Sequence, residues 1–210
     1  MWHQKCFSND GAGIRILELG PIEPDVLLGA VIETAAIIAE TRRWLELAVI
    51  GLDLCPFAQS VYRGNRVRMR VSEECSADGL LRQFREEAIQ LQNADPRQCE
   101  TSLVIHPRVL TDFLEYNDFL AVCDAAVADL GLEGEVQVAS FHPQYQFAGT
   151  QPDDIENYTN RSPYPMLHLL REDSVERAVA AAGDTDAISR KNIRTLRRLG
   201  HAGWQRLWSG

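Results

Sequence analysis

The sequence predicts an α/β domain: a small four-stranded mixed sheet, largely parallel, flanked by helices. Three observations carry this. Short apolar or alternating runs recur at Arg66–Ser72, Leu103–Ile105, Glu135–His142 and Met166–Glu172. Apolar positions at three-and-four spacing fill the intervals between the first three of these runs. The chain of 210 residues, 45% hydrophobic and 24% charged, is long enough and apolar enough to bury one core. Strands alternating with helices imply right-handed crossovers and parallel pairing. The last two strands have no helix between them, which leaves room for one antiparallel pair.

Taken in order, residues 1–29 contain Gly11, Gly13, Gly20, Pro21 and Pro24 without a clear period, and read as a partly disordered N-terminal extension. A single α/β domain is expected over residues 30–210. From Val31, the positions Ile37, Thr41, Trp44, Leu45, Ala48 and Leu52 recur at helical spacing, so an amphipathic helix of about six turns opens the domain. Pro56 either ends it or begins a short new one. "RVRMRVS" alternates as a strand. The next helix sets Leu80, Leu81, Phe84, Ala88 and Leu91 on one face. "TSLVIHP" has a continuous apolar centre, as a strand covered on both faces requires. A helix with the stripe Phe113, Tyr116, Asn117, Leu120, Val127 and Leu130 follows, and Gly131 stops it. "EVQVASFH" places Val136, Val138, Ser140 and His142 on one face, and "MLHLLRE" is the fourth strand. Asp173 or Ser174 is expected to cap the next helix, with a last helix from Asp186 to Leu199.

A net charge of −9 argues against a nucleic-acid partner, which would need a basic footprint. The N-terminus lacks a secretory h-region, and no apolar run approaches the roughly 20 residues that span a bilayer. Five scattered cysteines, none at CxxC spacing, indicate neither a disulfide scaffold nor a zinc ribbon. A cytoplasmic protein with no membrane partner is expected. The basic residues Arg190, Lys191, Arg194, Arg197 and Arg198 of the last helix read as a solvated face, or as a surface attracting an acidic subunit or anionic substrate.

The candidate site comes from the strand ends. Ligands of open α/β sheets bind beyond the carboxyl ends of the strands. Two strands here finish in His-Pro, at His106-Pro107 and His142-Pro143, and both imidazoles should leave the sheet at one edge. From that edge runs the long loop Pro143–Pro165, rich in polar side chains and stiffened by proline. Arg161 offers a planar fork for a carboxylate or phosphate, with Asn160, Ser162, Tyr145 and Asp154 around it as substrate contacts. Turn-making is the competing reading for Asn157, Asn160 and Asp154. His168, mid-strand with Met166 and Leu170, reads as core.

Cys55 in "DLCPFAQ" has two readings. It continues the helical stripe as a small buried hydrophobe, or Pro56 starts a helix and makes Cys55 an N-cap with a lowered pKa. The leading expectation is an enzyme acting on a small polar or anionic metabolite. In it Arg161 binds the anionic group, His142 (with His106 beside it) transfers protons, and Cys55 is the nucleophile or redox thiol. One alternative is a divalent-metal enzyme or metal-binding protein using His106, His142 and Asp153 or Asp154, although no diagnostic metal spacing is present. The other is a non-catalytic ligand-binding or interaction module. The residues identify neither a cofactor nor an oligomeric state.

The segments "LCPFA", "ETSLVIHP", "QVASFHPQYQFAG", "DDIENYTNRSPYPMLHLLRE" and "SVERAV" together resemble the bacterial domain-of-unknown-function family 1415, over about Ala30 to Ala182. The resemblance implies a single domain, with the first thirty residues outside it, and no activity.

Overall fold

The structure, a computed structural model, describes residues 24–182 and 185–209. Helix α1 (Pro24–Trp44) continues through a π-helical turn at Leu45–Ile50, and a short α2 (Ala58–Arg63) follows. Then come β1 (Val67–Val71), α3 (Ala77–Asn93), β2 (Thr101–Ile105), α4 (Phe113–Asp129) and β3 (Val136–Phe141). A 3-10 turn at Ile155–Thr159 interrupts the long loop before β4 (Met166–Arg171), α5 (Glu172–Ala182) and α6 (Thr185–Arg206). The expected partly disordered extension lies outside the described residues up to residue 23. Helix α1 starts at Pro24 and so crosses the domain boundary expected at residue 29.

The sheet is four-stranded and mixed, in the order β1-β2-β4-β3. β1 and β2 are parallel, while β4 runs antiparallel to both β2 and β3. "Largely parallel" therefore needs correction: three strands share a direction, but β4 inserts between two of them, leaving one parallel pair. The long loop lets the chain turn back after β3 without a crossover helix.

Alternation along the strands separates two cores. Val104, Leu167, Leu169 and Val136 face α3 and α4, meeting Leu80, Phe84, Leu91, Tyr116 and Cys123. Leu103, Ile105 and Met166 face the opposite way, against Ile37, Trp44, Leu45, Ala48 and Val49, with Trp204 and Trp208 packed alongside. The stripe on α4 differs from the one expected: Phe119, Cys123 and Ala126 are buried with Tyr116 and Val127, while Asn117 is exposed. Asp112 caps α4 by accepting the N–H groups of Leu114 and Glu115, and Gly131 ends it at φ +69°.

Helix α5 begins directly at the end of β4, so neither Asp173 nor Ser174 is a cap. Ser174 lies inside the helix and donates its hydroxyl to Glu100, which also pairs with Arg66 at 2.9 Å and ties α5 to the sheet. Helix α6 runs beyond the expected Leu199 to Arg206, with a break at Gly200 (φ 63°). Among its basic side chains, Lys191 pairs with Asp53 and Arg197 with Glu156.

Candidate functional site

His106 and His142 do leave the sheet at one edge. Ile105, Met166 and Phe141 sit level across β2, β4 and β3, and the next residues bond onward: His106 N–H to Pro165 O at 3.0 Å, His142 N–H to Asn160 O at 3.2 Å. Both rings then turn onto the α4 side of the sheet and are fully buried. They flank Tyr116, with ring centroids 5.7 Å away for His106 and 5.0 Å for His142, and Phe113 covers His142 at 5.5 Å. The Tyr116 hydroxyl donates to Met166 O at 2.7 Å and accepts Phe141 N–H at 3.0 Å, pinning β3 and β4 to α4.

The hydrogen bonds fix the tautomers. His142 Nδ1 accepts Gln144 N–H at 3.0 Å, so its proton sits on Nε2, facing Leu110 O at 3.3 Å. His106 Nδ1 donates to Val109 O at 2.8 Å, and its buried Nε2 has no partner. Burial is the main reason both are held neutral: His106 is pushed down to about 4 and His142 also lies below its ordinary value. In this arrangement the rings face aromatic side chains rather than an open cleft.

The polar loop folds on itself. Asn157, fully buried, accepts Phe147 N–H at 3.0 Å and the Thr150 hydroxyl at 2.8 Å, and donates to Gln151 O at 2.8 Å. Asp154 accepts Gln151 N–H, and Asn160 donates to Ser140 O. Ser162 donates to Tyr164 O, and the Tyr145 hydroxyl accepts from Ser140. Arg161 donates through Nε to Tyr145 O at 3.2 Å and through Nη2 to Pro152 O at 2.5 Å, with its guanidinium over the Tyr158 ring. The donors and acceptors expected to meet substrate thus hold one another and the backbone.

Cys55 lies on the other face of the sheet, packed against the Trp44 core. The structure therefore does not bring Cys55, His106, His142 and Arg161 into one hollow: the sheet separates the thiol from the two imidazoles. Of the two readings of Cys55, the helix stripe fails because the helix ends at Ile50 and a turn through Asp53 (φ 51°) intervenes. Asn192 of α6 steadies that turn, donating to Leu54 O at 2.8 Å. The N-cap reading fails as well, because α2 begins at Ala58 and its N-cap is Phe57. The thiol does face the N–H groups of Phe57 and Ala58, but burial outweighs them, the Asp53 charge adds to it, and the thiol is pushed up.

What Cys55 does share is a cavity of about 220 Å³ with almost wholly apolar walls. Its floor is the sheet row Leu103, His168 and Ala139, which are directly opposed across three strands, with Thr101 and Leu170 one step along. Leu45, Val49 and Val61 close one side, and Val175, Val179 and Ile188 close the other. The polar members are few and tied back. The Thr101 hydroxyl donates to Leu169 O at 2.5 Å and so accepts His168 Nε2–H at 2.7 Å. Burial holds His168 down at about 4. Tyr62 donates to Glu46 at 2.6 Å and is pushed up to about 12, by burial first and by Glu46 second.

The sequence assigns His168 to the core. It does face the core side, but its row neighbour is Ala139, too small to fill the space above it, and that pairing depends on the β3–β4 register. Among the described residues, no group of three or more His, Cys, Asp or Glu side chains could hold a metal ion, so the metal alternative has no ligand set there. The four described cysteines are free thiols, and no described helix is long and apolar enough to cross a membrane.

A family profile described as "Protein of unknown function (DUF1415)" matches residues 36–206, and the chain belongs to that family. The match extends past Ala182 to take in all of α6. No curated protein and no solved structure was found to match the chain.

Proposed function

We propose that this member of the family is a cytoplasmic small-molecule-binding protein, and that its ligand is a small, mainly apolar molecule held in the cavity beside Cys55. The observation that carries the reading is the cavity itself, about 220 Å³ with apolar walls. An apolar cavity of about 150 Å³ takes a benzene molecule. This one has room for a substituted single ring or a short branched acyl chain. The polar or anionic metabolite expected from the loop suits this cavity poorly, because burying a charge against such walls is costly.

The enzyme reading keeps one specific support. Cys55 Sγ lies in the cavity wall facing the N–H groups of Phe57 and Ala58, where a thiol could meet a bound ligand. His168 in the same wall is neutral. Chemistry on the ligand would therefore be thiol chemistry.

Thermal unfolding in the presence of small apolar compounds tests the binding reading. A compound at a hundred times its Kd adds about 2.7 kcal/mol, or roughly 5–10 °C in Tm for a chain of this size. The expected hits are neutral compounds of one ring or a short branched chain. A panel in which none of these raises Tm, at concentrations up to their solubility, contradicts the reading. The enzyme reading adds that Cys55→Ser abolishes turnover of such a compound while leaving its binding intact.

A further inference from the structure

β1 is an end strand of the sheet, with β2 on one side and no described strand on the other. Arg66 O accepts the Glu100 N–H, and Ser72 N–H donates to Ile105 O. In a parallel ladder alternate residues bond to the same neighbour, so the N–H and C=O groups of Met69 and Val71 point outward. A cavity of about 780 Å³ runs along this edge, within the roughly 300–1,000 Å³ of small-molecule sites. It meets side chains from both faces of β1: Arg68 and Arg70 with Gln83 and Glu87 of α3, and Met69 with Ile38 of α1.

Gln83 and Glu87 stand one turn apart on α3 and are buried, Gln83 to 9% exposure and Glu87 to 1%. Oε1 of each accepts no hydrogen bond from a described residue. Oε2 of Glu87 is taken, by the Ser102 hydroxyl at 2.9 Å and by Arg68 at 3.4 Å. A buried acceptor left unpaired costs about 1–3 kcal/mol, so both Oε1 atoms favour a ligand that donates. The opposite sign stands beside them. Arg70 Nε lies 3.8 Å from Glu87 Oε1, beyond hydrogen-bond reach, and its half-exposed guanidinium donates to no described residue. Glu73 and Glu74 also line the cavity and form no ion pair with a described residue. A bare cation would be opposed by Arg70, and a bare anion by the three carboxylates. A ligand carrying both signs a few ångströms apart avoids both penalties.

We propose that this edge cavity binds a free α-amino acid with an apolar side chain. Its ammonium group donates to Gln83 Oε1 and Glu87 Oε1. Its carboxylate accepts from Arg70 and from the outward N–H groups of β1, and its side chain lies against Ile38 and Met69. The cavity shares no described lining residue with the one beside Cys55 and does not require the function proposed for that one.

Three probes with one side chain separate the outcomes: L-leucine, 3-methylbutylamine, which lacks the carboxylate, and 4-methylpentanoate, which lacks the ammonium. Of the chain's three methionines, Met69 lines the cavity and Met166 lies in the core against α1, so methyl-labelled methionine reads the site and a control together. Leucine should shift the Met69 methyl resonance and leave that of Met166 in place. It should bind at least about tenfold more tightly than either analogue, the scale of one hydrogen bond to a charged group. Arg70→Gln should weaken leucine roughly tenfold without weakening the amine, and Gln83→Met should weaken both. Should either variant fail to fold, the comparison of the three probes on the wild-type protein decides. Leucine should still bind when Ala139→Leu fills the Cys55 cavity. A Met69 methyl unmoved by leucine up to its solubility, an analogue that matches leucine, leucine binding that either folded variant leaves intact, or its loss in Ala139→Leu would each overturn the proposal.

Discussion

Replacing Ala139 with leucine adds three carbons to the cavity floor, from the β3 side and directly opposite His168. In a close-packed core such a change overpacks and costs about 1–3 kcal/mol. In an open cavity of about 220 Å³ the added carbons find room. Three methylene equivalents at about 0.8 kcal/mol each give roughly 2.4 kcal/mol of burial. Lost leucine rotamer freedom takes back about 0.5–1 kcal/mol. The net expectation is stabilisation by about 1.5–2 kcal/mol, or roughly 3–8 °C in Tm. Thermal and urea unfolding followed by circular dichroism measure it. The same variant should lose affinity for apolar ligands, because its side chain occupies their space. Destabilisation of about 1 kcal/mol or more would mean the space is not there and would refute the reasoning.

The buried histidines make stability pH-dependent. His106 and His168 titrate near 4 in the folded chain, against 6.5 when unfolded, so the unfolded chain holds more protons between those values. Stability is therefore complete above about pH 6.5 and is lost as pH falls toward 4, each ring contributing on the order of 1 kcal/mol per pH unit; an unchanged urea midpoint between pH 7 and 5 would contradict this. Asn157→Ala leaves Phe147 N–H without its partner, while the Thr150 hydroxyl still has Phe147 O and Gln151 O still has Asp154 N–H. It should cost about 1–3 kcal/mol in chemical denaturation, and a loss below about 0.5 kcal/mol would show that the loop does not depend on it. At neutral pH, iodoacetamide should modify exposed Cys75 well before Cys55, which is half-buried and whose thiol is pushed up. Peptide mass spectrometry reads the order, and faster labelling of Cys55 would contradict the burial argument.

The layout of the fold was legible in the sequence because apolar periodicity is local. Leu80, Phe84, Ala88 and Leu91 announced a helix face, and Leu103-Val104-Ile105 announced a strand covered on both sides. The placement of β4 was less so, since strand order depends on which edge a returning chain meets. The shared edge of His106 and His142 followed from strand direction, but the side of the sheet on which each group lies did not. An imidazole at a strand end can face a cleft or, as here, an aromatic helix face carrying Phe113 and Tyr116. Asn157 and Arg161 show the same limit. Their side chains have the chemistry for substrate or for turn carbonyls, and only the path of the loop decides between them. The apolar cavity left no local trace, because it arises where Ala139 faces His168 across two strands and beneath α5.

Methyl resonances under titration with a small apolar ligand such as toluene test the central claim most directly. The account expects shifts concentrated on the methyl groups of Leu45, Val49, Val61, Leu103 and Val175, which surround the cavity, and expects them to vanish in Ala139→Leu. Saturating toluene that leaves those methyl groups unmoved would contradict it.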